Sequence, residues 1–233
     1  MKKDIDTSRI TAVIPTYNES EHIAKVVSDV SAHVPVIVVD DGSSDDTLNR
    51  LAPLDVDIVQ HPTNLGKGEA LKSGFRAALA QNVDAVITLD ADGQHAPEDL
   101  PRFVEAYTKT RASLIIGQRD FRQMPFSRRL ANTLGQRTLH AALGKLIPDN
   151  QSGFRLIDRY LVEAMLDNGE TGFEFEVEMI LFCVAEKIAI EWVPIRTIYQ
   201  GEKSHIKPLQ HVIKYLSLLR RAYQTRRRIS ASL

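Results

Sequence analysis

The sequence predicts an α/β protein with a mostly parallel sheet and helices on both of its faces. Two observations carry this. Between Ile10 and Asp120, short apolar runs that read as buried strands alternate with segments of helical periodicity. The polar clusters "PTYNE", "DDGSSDD", "DADGQH" and "GQRD" all fall where those strands end. In open α/β sheets, ligands sit off the carboxyl ends of the strands.

The elements follow in order. "RITAVIP" reads as a strand stopped by Pro15. In "NESEHIAKVVSDV" Asn18 and Glu21 have capping-box spacing, and Ile23, Val26, Val27 and Val30 form one helical face. "VPVIVVDDGSSDDT" is a second strand running into acids, with Ser44 expected to cap "DDTLNRLA". "VDIVQH" is a third strand. "NLGKGEALKSGFRAALA" is a helix with Ala70, Leu71, Phe75, Ala78 and Leu79 on its apolar face. "DAVITLD" and "SLIIGQRD" are the fourth and fifth strands. "PFSRRLANTLGQRTLHAALGKLIPD" reads as an amphipathic helix, "GFEFEVEMILFCVAEKIAI" as alternating acids leading into a helix, and "EWVPIRTIY" as a strand.

With 233 residues, 43% hydrophobic and 25% charged, the chain can bury a sizeable core. Its one cysteine, Cys183, lies in an apolar run, which excludes a disulfide framework and marks a core thiol. No apolar h-region follows the charged start, and no run is long enough to span a bilayer, so a cytoplasmic protein is expected. The net charge of −1 is unevenly spread. Residues 201–233 hold eight Lys or Arg against one Glu, leaving +7 there and −8 in the rest. The chain therefore divides into a domain over 1–200 and a basic amphipathic C-terminal helix within 201–233. A basic end on an acidic body suits a phosphate-bearing partner or an anionic lipid surface.

Asp90 and Asp92 carry the sharpest signal. Two carboxylates one residue apart at the end of a buried strand repel each other and cost desolvation. A turn is the plain alternative, since Asp and Gly are common turn residues. Gly93 comes too early for an EF-hand, and no Glu closes the loop. A D-x-D-G phosphatase is a rival, although a fourth strand is an unusual place for its nucleophile. A hard divalent cation, Mg²⁺ or Mn²⁺, resolves the repulsion if substrate phosphates complete its shell. Gln94 can add a neutral oxygen, and His95 suits a supporting or packing role.

The ordered blocks "VIPTYNE", "VIVVDDGSSDDT", "NLGKGEALKSG", "LDADGQHAPED", "IIGQRD" and "DNQSGFR" span most of residues 10–205. Together they resemble the family 2 inverting glycosyltransferases with the GT-A nucleotide-sugar fold, most closely the polyprenyl-phosphate, dolichol-phosphate mannose synthase-like branch. The resemblance implies that Pro15, Tyr17, Glu19 and Asp41 hold the base and ribose, with Val39 lining the same pocket. It implies that Asp90, Asp92 and Gln94 bind the metal, that Ala91 offers a backbone contact, and that Lys67 lies near the nucleotide. Arg119 and Arg155 would face the phosphates or the acceptor, and with Asp92 they make up the implied catalytic set. Two departures stand out. "QGEKSHIKP" replaces the G-x-S-K ending of the branch, leaving Lys203 as a candidate for the basic role, and the C-terminal membrane spans of many relatives are not found in this sequence. The Q-x-x-R-W signature of processive synthases is missing too.

An inverting transfer to a hydroxyl needs a general base, for which Glu174 and Glu176 are candidates. A phosphate monoester, with a second pKa near ~6, is its own nucleophile and needs a cationic cradle instead. Arg119, Arg128 and Arg129 fit that role, which favours a lipid-phosphate acceptor. The tail places Leu209, Val212, Ile213, Leu216, Leu219 and Tyr223 on one stripe. It suits docking on the domain or on a second copy of the chain, or an interfacial position on anionic lipid. Nucleic acid is not expected, because the tail lacks interleaved aromatics. A non-catalytic nucleotide-sugar-binding scaffold is the alternative outside enzymes.

Overall fold

The computed structural model describes residues 9–124, 126–198 and 217–227. Seven strands form one sheet: β1 (Ile10–Thr16), β2 (Val36–Asp40), β3 (Asp57–Gln60), β4 (Ala85–Thr88), β5 (Leu114–Arg119), β6 (Arg155–Asp158) and β7 (Ile190–Ile195). Their order is β3-β2-β1-β4-β6-β5-β7. Only β6 runs against its neighbours, pairing Thr88 with Arg155 on one side and Ile116 with Arg155 on the other. The chain leaves β1 toward β2 and β3, then returns to lay β4 on the opposite side of β1. This change of direction opens a crevice at the carboxyl ends of β1, β2 and β4, where the polar clusters lie.

The helices are α1 (Ile23–Ser31), α2 (Thr47–Leu51), α3 (Lys67–Ala80), α4 (Leu100–Thr110), α5 (Phe126–Leu143), α6 (Arg159–Met165), α7 (Glu174–Ala185) and a last helix, α8, over 217–227. Alternation along each strand sends side chains to two cores. Val13, Ile37, Val39 and Val86 pack with Phe75 of α3, Phe175 of α7 and Leu161 of α6. On the other face Ala12, Ile14, Val38 and Ile87 pack with Val27 of α1 and Phe103 of α4. Each large apolar side chain so covered contributes about 1.5–3 kcal/mol. Gly74 lets α3 lie directly on the sheet, because a Cβ there would collide with Val13. Pro194 sits in edge strand β7, where its missing N–H costs the ladder least.

Several local expectations are corrected. The capping box does not form: α1 starts at Ile23, and Asn18 adopts φ 57° with its Oδ1 accepting the Ser44 N–H at 2.8 Å. Asn18 therefore braces the β1 and β2 loops instead of capping its own helix. Ser44 does not cap α2. Asp46 precedes that helix, and Asp45 accepts the Thr47 N–H at 3.0 Å and the Thr47 hydroxyl at 2.5 Å. Strand β1 continues past Pro15 to Thr16. "GFEFEVE" is the entry into α7, with both Glu174 and Glu176 buried, and no strand forms there. Strand β6 and helix α4 emerge from segments given no element in the sequence reading.

Of the tail, only 217–227 falls within the described residues; Leu209, Val212, Ile213, Leu216 and Lys203 lie outside them. Leu218 and Ala222 are buried in the core shared with α6 and α7, and Arg226 donates to the Ala141 carbonyl of α5 at 3.1 Å. This helix docks on the domain. Among the described residues no helix is long and apolar enough to cross a membrane.

Candidate active site

The crevice is assembled from the ends of β1, β2 and β4, with Arg119 in a cleft at the end of β5. At β1, Tyr17 is exposed, while the Glu19 backbone N–H donates to Thr47 Oγ1 at 3.0 Å. At β2, Asp41 is almost wholly buried. Its Oδ1 meets His61 Nδ1 at 2.7 Å and accepts the Leu65 N–H at 2.9 Å, and its Oδ2 accepts the Gly66 N–H at 2.8 Å. His61 Nε2 in turn lies 2.9 Å from Ser73 Oγ of α3. Asp41 thus ties the loop ahead of α3 to the sheet. Gly42 has φ +75°, and a Cβ there would lie 2.5 Å from the Thr63 carbonyl carbon, so only glycine lets the two loops meet.

Lys67 opens α3. Its Nζ lies 2.5 Å from Asp90 Oδ1 and 3.0 Å from Glu176 Oε2, with the Phe173 ring 5.3 Å away. Burial opposes the lysine's charge, but the two carboxylates outweigh it and hold its pKa above the ordinary lysine value. For Asp90, burial alone would raise the pKa; Lys67 and His95 reverse the sign and keep the carboxylate ionised well below its usual range. His95 Nε2 lies 3.3 Å from Asp90 Oδ2, while its Nδ1 is buried without a hydrogen-bond partner. Gly153 packs against the same carboxylate, where a Cβ would come within 2.5 Å of Oδ2. Asp92 is partly exposed, and its Oδ1 accepts the Gln94 N–H at 3.0 Å. The Gln94 carbonyl accepts the Ile198 N–H at 2.9 Å, which ties the acidic loop to the segment after β7.

Asp90, Asp92 and Glu176 supply hard oxygen donors around Lys67, with Arg155 a second cation near Asp90 and Glu176. That composition fits a divalent cation of the Mg²⁺ or Mn²⁺ type, although among the described residues no three His, Cys, Asp or Glu side chains converge as a ready cage.

Arg119, at the end of β5, makes a fork with Asp149, Nε to Oδ2 at 2.7 Å and Nη2 to Oδ1 at 2.9 Å. It lines a cleft of about 420 Å³ with Phe121, Arg122, Gln136 and Pro148. Arg129 is exposed on α5; the side chain of Arg128 lies outside the described residues.

Two residues expected at the ligand have buried side chains. Arg155 is 1% exposed and donates to the carbonyls of Ser152, Asn150 and Glu176, so it braces the 150–152 loop against α7. Val39 is fully buried beneath α3 and belongs to the core. Ala91 is also buried, which leaves only its backbone for a ligand. Sequence reasoning missed His61, Ser73, Asp149 and the Lys67–Glu176 contact. The lone acids and histidine gave no sign of their partners, which come from distant parts of the chain.

The pattern of Glycosyl transferase family 2 matches residues 11–166, well over half of the sequence and every strand through β6. The chain belongs to glycosyl transferase family 2. This glycosyltransferase is 34% identical over 186 residues to the undecaprenyl-phosphate mannosyltransferase of Micrococcus luteus, covering 73% of this chain and 76% of that one. It is 29% identical over 216 residues to the UDP-N-acetylglucosamine–dolichyl-phosphate N-acetylglucosaminyltransferase of Methanococcus voltae, covering 82% and 86%. Among solved structures, the glucosyl-3-phosphoglycerate synthase of Mycobacterium tuberculosis in complex with Mn²⁺ and UDP-glucose superimposes with a TM-score of 0.70 at 23% identity, over 91% of this chain and 78% of that one. That likeness carries the GT-A fold.

Proposed function

We propose that this family 2 glycosyltransferase moves a sugar from a nucleotide-activated donor, UDP- or GDP-linked, to the phosphate of a polyprenyl phosphate, with inversion at the anomeric carbon and with Mg²⁺ or Mn²⁺ as cofactor. The observation that carries this reading is the Asp90–Asp92 loop with Lys67, a charged cluster at the carboxyl end of β4 in a chain whose relatives are named for prenyl-phosphate acceptors.

In this reading Asp90, Asp92 and Gln94 would hold the cation, which would supply Lewis-acid stabilisation to a diphosphate leaving group. Tyr17 and Glu19 line the donor side with Pro15, while Asp41 fixes the loop against which the base rests. Lys67 lies near the diphosphate. Arg119 orients the acceptor phosphate from the cleft at the end of β5, with Arg128, Arg129 and Lys203 adding positive charge. Glu174 and Glu176 are both buried, which disfavours either as a general base and so favours an acceptor that needs none.

Contact with a lipid surface suits α5. Leu130 and Leu134 are 60% and 61% exposed, Arg129 and Arg137 flank them, and no acid occurs between Met124 and Pro148. Calorimetry with UDP- and GDP-sugars, with and without Mn²⁺, followed by product analysis on prenyl phosphate and on hydroxyl acceptors, tests the reading. Donor binding that needs the metal, with transfer to prenyl phosphate, is expected. Transfer to hydroxyl acceptors alone would overturn the acceptor assignment.

A further inference from the structure

Lys67 stands where a cation serving Asp90 would stand. Its ammonium is 2.5 Å from Asp90 Oδ1 and 3.0 Å from Glu176 Oε2, and its side chain is only 13% exposed. The backbone beneath it is fixed. Gly66 has φ +100°, and a Cβ there would lie 2.5 Å from the Thr171 oxygen. The same Thr171 carbonyl accepts the Gly68 N–H at 2.7 Å. The lysine's long stem can therefore reorient while the helix start stays in place. A divalent ion and an ammonium drawn to one carboxylate oxygen compete for it, because like charges in a partly buried site repel strongly.

We infer that Lys67 is the resident counter-ion of the Asp90–Asp92 loop: it balances Asp90 and Glu176 and competes with a divalent cation until a diphosphate arrives with the metal. The inference rests on the reading of this loop as the metal and diphosphate site. A diphosphate brings the oxygen ligands that the chain itself does not assemble into a cage, and it offers the lysine a new anionic partner. Metal and nucleotide then enter together, and neither the metal nor the lysine is left unbalanced at any stage.

The test is Mn²⁺ binding followed by electron paramagnetic resonance, with and without UDP or GDP, on the wild-type chain, Lys67→Met and Lys67→Arg. Wild-type protein without nucleotide should bind Mn²⁺ at least about tenfold more weakly than with it, and Lys67→Met should bind Mn²⁺ alone at least about tenfold more tightly than wild type. Lys67→Arg, which keeps the cation, should match wild type. Heat stability of Lys67→Met should rise with Mn²⁺ in the absence of nucleotide. Equal Mn²⁺ affinity of the wild type with and without nucleotide would overturn the inference, as would a folded Lys67→Met that binds Mn²⁺ no better than wild type. If Lys67→Met fails to fold, Lys67→Gln, uncharged and still polar, is titrated in its place with the same expected and overturning results. Asp92→Ala separates the two levels: if it retains Mn²⁺-dependent nucleotide binding, the reading of the loop itself fails, whatever Lys67 does.

Discussion

Arg221 of α8 places Nη1 2.5 Å from Glu170 Oε1, and Glu170 immediately precedes the Thr171 carbonyl that receives the Gly68 and Glu69 N–H groups. Arg221 also pairs with Glu178 of α7 at 2.9 Å. Burial raises the Glu178 carboxyl pKa and the arginine opposes that shift. A helix from the basic tail is thus joined through one loop to the start of α3, where Lys67 meets Asp90.

This connection predicts that the 217–227 helix supports the domain as well as any surface contact. Leu218→Ala removes a fully covered side chain and should cost about 2–4 kcal/mol in urea unfolding. Nucleotide affinity of Arg221→Ala should fall while its fold, read by circular dichroism, persists. Deletion from residue 217 onward should reduce transfer to long- and short-chain acceptors alike. Loss confined to the long-chain acceptor would mean that the tail acts at a lipid surface and not on the domain.

Asp41→Ala leaves the Leu65 and Gly66 amides and His61 without their acceptor, so it should destabilise the chain by about 1–3 kcal/mol and weaken nucleotide binding through the loop. His61→Ala should show a smaller loss of the same kind, because the two amides keep their carboxylate. Thermal melts with and without UDP or GDP check both. Wild-type stability in Asp41→Ala would show that the loop holds itself.

Arg119 and Arg155 should separate cleanly. Arg155→Met strands the carbonyls of Asn150, Ser152 and Glu176 in the interior, so stability should drop by about 1–3 kcal/mol or more, and activity with it. In Arg119→Ala, at the mouth of the β5 cleft, the acceptor KM should rise and donor affinity should stay unchanged. Calorimetry for the donor and steady-state kinetics for the acceptor distinguish the two. A donor-binding defect in Arg119→Ala would move that residue to the donor side.

Cys183 is fully buried in α7, and burial pushes its thiol pKa up to about 12. The thiolate is the reactive form, so native protein at neutral pH should resist a disulfide-exchange reagent and react fully once unfolded in urea. Fast labelling of the native chain would contradict the packing of α7 against the sheet.

Strands β1, β2, β4 and β5 were legible because each holds a short apolar run that is buried on both faces, and Asp90–Asp92 stood out because nothing apolar explains two acids at a strand end. Strand β6 was not legible. It has four residues, "RLID", and it forms only because β4 and β5 present edges on either side of it. Asn18 misled for a related reason: its spacing to Glu21 is a local signal, but its side chain is claimed by Ser44 across the crevice. Arg155 was expected at the phosphates or the acceptor only through the resemblance of the "DNQSGFR" block; its burial against three carbonyls depends on where α7 lands, and a linear pattern does not encode that. The same holds for Glu176, whose alternation with Glu174 carried no sign that helix α7 would bring it to Lys67.

The most direct test of the central claim is mass spectrometry of the product formed from a nucleotide-sugar and a short-chain polyprenyl phosphate, with Mn²⁺, by wild type and Asp92→Ala. The account predicts a glycosyl phosphoprenol of inverted anomeric configuration from the wild type, lost in EDTA and in Asp92→Ala. Undiminished product from Asp92→Ala, or from wild type in EDTA, would contradict it.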